Sequence, residues 1–80
     1  MTYSEAIIKR ILFFCAEKNI TVNKLATLSG MKQSTLENII KGYTKNPSLR
    51  ILHRLSQGLE MTLSEFLNFA EMNEIAFDDE

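Results

Sequence analysis

Gln33, Ser34, Glu37, Asn38 and Lys41 are separated alternately by one and three residues. On a helix turning about 100° per residue, that spacing gathers them on one side. Leu36, Ile39 and Ile40 fall on the other side, with Thr35 at its edge. The polar set suits recognition rather than reaction. Gln and Asn can pair bidentately with N6 and N7 of adenine, Lys can donate to guanine or phosphate, and Ser and Thr can bond to either. An ordinary solvated helix face has a similar composition, so the surrounding residues must decide between the two readings.

Little else in the chain offers chemistry. His53 is the only histidine and Cys15 the only cysteine. A metal site needs several ligands at matched spacing, so no metal is expected. A nucleophile–base–acid set has no members to draw on, and the glycines occur singly rather than in a phosphate-binding loop. Neither an enzyme nor a cofactor is expected. Cys15 lies on the inward side of the first expected helix and reads as core packing; His53 reads as a surface or half-buried residue.

The average charge hides an asymmetry. The formal net charge is −1, yet residues 1–58 hold all nine Lys and Arg against three acids, a surplus of +6, whereas residues 59–80 hold seven acids and no Lys or Arg. This points to an electropositive face and an acidic end. Eighty residues suit a single domain, and no apolar run reaches membrane-spanning length. Met1 to Glu5 lack the basic start of a signal peptide, and one cysteine cannot form an internal disulfide, so a cytoplasmic protein is expected.

Turn signals divide the chain into five expected helices. The first runs from about Ser4 to Lys18, with Ile7, Ile11, Phe14 and Cys15 on one face and Ile8 and Leu12 beside them. The second follows Thr21, an N-cap residue, and ends near Ser29-Gly30. The third spans about Lys32 to Lys41 and stops at Gly42. The fourth follows Asn46-Pro47-Ser48 and ends near Gly58. The fifth opens with Thr62-Leu63-Ser64-Glu65, the pattern of a capping box, and continues to about Asn73. The domain is read as 1–73 and the acidic tail as 74–80. Ala26, four residues before Gly30, supplies the small side chain that two steeply crossing helices need.

In this order and spacing, the segments TVNKLA (21–26), LSGM (28–31), QSTL (33–36), IIKG (39–42), NPSLRIL (46–52) and TLSEFL (62–67) resemble the phage-repressor (Cro and lambda-repressor-like, XRE) helix-turn-helix domain. The resemblance covers residues 7–67. It implies an all-α, compact five-helix lambda-repressor-like DNA-binding domain, with the helix-turn-helix at helices 2 and 3. Carried over by position, Gln33, Ser34 and Asn38 fall where the family reads bases, and Lys32 and Thr35 flank them. Lys41, Lys45 and Asn46 fall near the loop that in this family approaches the DNA backbone. Three departures stand out. Val22 occupies a position where many members use Gln to hold a phosphate, leaving that role to Thr21 or Asn23. Cys15 and Ile40 replace the buried Arg–Glu pair of some members, which avoids the desolvation cost of buried charge. The DNA side is only moderately basic.

The fifth helix has its inward stripe in Leu63, Phe66, Leu67 and Ala70. Phe69, Met72, Ile75 and Phe77 lie off it, and Phe13 points away from the first helix's inward face. These surplus apolar groups either cap the core or form a subunit interface; a homodimer through Phe69, Met72, Ile75 and Phe77 is expected. The function expected is a sequence-specific transcriptional regulator, a repressor acting on double-stranded DNA. The alternative is a protein-binding module of the same fold, such as an antitoxin, using the acidic end.

Overall fold

The computed structural model describes residues 1–75 and, within them, is all-helical. Its elements are α1 (Tyr3–Lys18), α2 (Val22–Leu28), α3 (Gln33–Ile40), α4 (Leu49–Gly58), α5 (Leu63–Leu67) and α6 (Ala70–Asn73). Phe77 and most of the expected acidic tail lie outside the described residues.

Side-chain oxygens set where the helices begin. Thr21 Oγ1 accepts from the Lys24 N–H at 3.0 Å, and Ser48 Oγ accepts from that of Ile51 at 3.2 Å. The expected capping box is present: Thr62 Oγ1 accepts from the Glu65 N–H at 3.0 Å while the Glu65 carboxylate accepts from the Thr62 N–H at 2.8 Å. Thr2 and Glu5 form the same reciprocal pair at the start of α1. That box is spelled Thr2-Tyr3-Ser4-Glu5 in the sequence. It moves the helix start ahead of the expected Ser4.

Left-handed residues set where the first four helices stop: Asn19, Gly30, Gly42 and Glu60, with φ of 54°, 68°, 81° and 61°. After each, the next N–H turns back to a carbonyl of the last turn, as Met31 does to Ala26 at 3.0 Å and Tyr43 to Asn38 at 2.9 Å. The fourth helix ends at Gly58, as expected, but the left-handed residue that follows it is Glu60. Gly58 is required by proximity instead. A Cβ there would meet Ser29 Oγ and lie 3.1 Å from the Ser29 Cα and N.

The core is one cluster in which Ile7, Ile11 and Cys15 of α1, Leu25 and Ala26 of α2, Leu36 and Ile39 of α3, Leu55 of α4, Leu59 just after α4, and Phe66 of α5 are buried together. Full burial of each large aliphatic or aromatic side chain stabilises by about 1.5–3 kcal/mol. Cys15 and Ile40 both pack in or against it, as an apolar pair should.

The single fifth helix expected to reach Asn73 is two helices. Phe69 is extended, with φ −147° and ψ 155°, and separates α5 from α6. The cause is Arg10 of α1. Its Nε donates to the Phe66 carbonyl at 2.8 Å and its Nη2 to that of Glu65 at 2.9 Å. These are carbonyls that a continuing helix would have used itself. The guanidinium lies over the rings of Phe14 and Phe69, with centroids at 4.3 and 4.7 Å. Consequently Ala70, expected on the inward stripe, is exposed, while Met72, expected off it, packs against the core.

Candidate nucleic-acid interface

α2 and α3 meet through Ser29–Lys32, where Gly30 takes the positive φ that a short turn needs. Ala26, at the crossing, has no exposed surface, and Leu25 beside it is equally buried. Replacing either by a larger residue would push the helices apart. The turn therefore fixes α3 against α2 with Leu36 and Ile39 inward.

That anchoring decides which side of α3 faces solvent. Gln33, Ser34, Glu37, Asn38 and Lys41 are all exposed, and Thr35 is half-buried at the edge. Lys32 sits at the N-cap position in extended conformation and is exposed; its ammonium only donates and so cannot cap the helix N–H groups. Lys41 Nζ lies 3.9 Å from a Glu37 carboxylate oxygen one turn back. Such an exposed pair is worth little, so both groups can turn to other partners at small cost. Glu37 adds an acceptor to the face, the group suited to the N4 donor of cytosine.

The residues expected near a DNA backbone are brought together in part. Thr21, Asn23 and Lys41 line one shallow hollow with Val22, Glu37 and Ile40, between the start of α2 and the end of α3. Thr21 Oγ1 is already engaged in capping, which leaves the Asn23 side chain as the freer substitute for the glutamine missing at Val22. Lys45 and Asn46 are exposed but line a different hollow, against Tyr3, Ile7, Pro47 and Leu52.

The basic surplus of the first 58 residues is not all on this side. Lys9 binds Glu71 at 3.2 Å and Arg10 is committed to the carbonyls of α5. One large exposed residue near the end of α3 was not anticipated. Tyr43 directly follows α3 and its Gly42 stop, and is 75% exposed. Its signal was an aromatic residue in an otherwise polar loop, set one place after the glycine that ends the polar-faced helix. Of the expected dimer residues, Phe69 lies under Arg10 and Met72 packs on its own core, Ile75 is half-buried, and Phe77 is outside the described residues. Among the described residues, no helix is long and apolar enough to cross a membrane.

Comparison with known proteins agrees with this arrangement. Residues 10–71 match the family model of the Cro/C1-type HTH DNA-binding domain. Over 62 residues, 78% of its length, the chain is 34% identical to the HTH-type transcriptional regulator SlrR of Bacillus subtilis (strain 168). The match spans 41% of that regulator, so the chain corresponds to well under half of it. Among solved structures, the prophage Lp1 protein 11 superposes with a TM-score of 0.82 at 27% identity, over 94% of this chain and 99% of the other.

Proposed function

The chain belongs to the Cro/C1-type helix-turn-helix family, whose members are DNA-binding domains and not enzymes, and from that premise we propose that it is a sequence-specific transcriptional regulator reading duplex DNA with α3. The observation that carries this reading is the division of α3, with Leu36 and Ile39 sealed in the core and Gln33, Ser34, Glu37, Asn38 and Lys41 all open to solvent. In the major groove Gln33, Ser34 and Asn38 contact base edges, and Lys32 and Thr35 reach base or phosphate beside them. Thr21, Asn23, Lys41, Lys45 and Asn46 hold the backbone and so set the register of α3. Readout by hydrogen bonds needs no cofactor. A single short recognition helix spans few base pairs, so two copies on a palindromic site give the discrimination a regulator needs. Occupying such a site in the cytoplasm would block polymerase, which makes repression the simplest outcome.

Selection of binding sites from random duplex DNA, followed by titration at several salt concentrations, tests the proposal. The expected result is an enriched palindromic motif whose affinity falls steeply with salt, because phosphate contacts release counterions. No enriched motif and a flat salt dependence would overturn it. If the chain instead captured a basic protein through its acidic C-terminal end, the antitoxin-like alternative would replace it.

A further inference from the structure

α1 presents an outer stripe that the rest of the fold leaves open. Lys9, Leu12, Phe13, Ala16 and Glu17 follow one another at helical spacing and are all exposed. Leu12 and Phe13 are 45% and 51% exposed and adjoin one another on this stripe, and contiguous exposed apolar groups mark an interaction surface where scattered ones do not. Lys9 precedes Phe13 by one helical turn and Glu17 follows it by one.

We propose that this stripe is a homodimer interface, in which α1 packs antiparallel against α1 of a second copy about a two-fold axis at Phe13. A two-fold contact must be self-complementary, and this stripe is. Reversing the helix about Phe13 brings Lys9 opposite Glu17 of the second copy, and Glu17 opposite its Lys9. A parallel pairing would set like charges against each other. Leu12, Phe13 and Ala16 fill the centre between the two ion pairs, and the small Ala16 lets the helices approach. Glu17 makes no ion pair among the described residues, and the Lys9 side chain, though 3.2 Å from Glu71, is 62% exposed and can take a second carboxylate.

The C-terminal end offers less. Phe69 and Met72 have partners within the chain, and the acids there would repel their copies across an axis. One helix face is small beside a standard interface of about 800 Å² per partner, so the dimer is weak and favoured at high concentration or on DNA. The proposal rests on the two-copy DNA reading for its purpose, but its test does not require DNA.

Sedimentation equilibrium of the full chain, of Lys9→Glu, of Glu17→Lys and of their equimolar mixture tests it, with circular dichroism to confirm folding. Each charge reversal is expected to weaken self-association roughly tenfold. Mixing the two variants restores it, because every pair across the axis is again of opposite sign. Lys9→Glu also places a carboxylate beside Glu71. If that variant folds poorly, Glu17→Lys and Phe13→Ser carry the test, and both must weaken the dimer. Added salt should weaken the wild-type dimer, whereas an interface between acidic C-terminal ends would be strengthened. A wild type that remains monomeric at its highest soluble concentration overturns the proposal, as does a dimer indifferent to these changes or tightened by salt. Loss of duplex binding with dimerisation intact would instead count against the DNA reading alone.

Discussion

Arg10 and Phe66, 56 residues apart, are joined by a 2.8 Å hydrogen bond from Nε to the carbonyl oxygen that α5 leaves unused at its end. The same guanidinium takes the Glu65 carbonyl and lies against two aromatic rings. Lysine at this position keeps the charge but loses the planar fork. Arg10→Lys should therefore lower stability by about 1–3 kcal/mol, as loss of paired, partly buried carbonyl contacts does. Urea unfolding checks this; a midpoint equal to wild type would show that α5 ends without the help of Arg10.

Gly58→Ala separates two opposed effects. Alanine in a helix interior ordinarily gains about 1 kcal/mol over glycine, and Gly58, as the last residue of α4, stands to gain less. Here the added methyl would press on the Ser29 backbone 3.1 Å away, and overpacking of this kind costs about 1–3 kcal/mol. The expected outcome is a net loss in thermal stability. Ser29 Oγ is buried without a hydrogen-bond partner, so Ser29→Ala should be neutral or stabilising and should relieve part of the Gly58→Ala loss. A Gly58→Ala protein more stable than wild type would mean that α4 and the end of α2 can move apart freely.

Gln33→Ala and Lys45→Ala should differ in kind. Loss of Gln33 should cost about 1–3 kcal/mol on the selected site and relax preference at one base position. Loss of Lys45 should weaken all sequences alike and reduce the salt dependence. Binding titrations on the selected site and its single-base variants distinguish them. Equal, sequence-independent losses from both changes would remove Gln33 from the base-reading set.

Cys15 is 5% exposed, and burial pushes its thiol above the ordinary cysteine range, so it is a packing residue held in its neutral form. Cys15→Ala should cost about 1 kcal/mol for the small volume lost, with DNA binding retained. Native protein treated with a thiol reagent should react slowly, and fast modification would place the thiol outside the core.

The capping boxes make the fold sensitive to acid. Glu5 and Glu65 are each held below the usual carboxylate range, first by the N–H of Thr2 or Thr62 and then by its hydroxyl. A depressed folded pKa contributes stability at pH values above the unfolded one, and that contribution is lost as pH falls through the folded value. The loss therefore belongs below the ordinary glutamate value of 4.5. Glu65→Gln should flatten part of the acid limb in thermal melts across that window. An unchanged limb would show that the box contributes no proton linkage.

Much of the candidate interface was legible in the linear order of residues because its causes are local. Thr21, Ser48 and Thr62 cap helices through bonds three residues away, and the period of Leu36 and Ile39 sets which side of α3 is polar. A short turn around Gly30 leaves α3 no other side to bury against α2. What only the tertiary structure decided are the contacts between distant segments. The break at Phe69 is held by an arginine in α1, a contact that the residues around it do not announce. Gly58 marks the end of α4 in the sequence, but only the fold shows Ser29 so close that no side chain fits there. Lys9 and Arg10 count toward a basic face until their partners on the C-terminal helices remove them from it. Helix propensity, caps and amphipathic period act within a turn or two of the chain, whereas which carbonyl, methyl or carboxylate a side chain meets depends on how the helices pack.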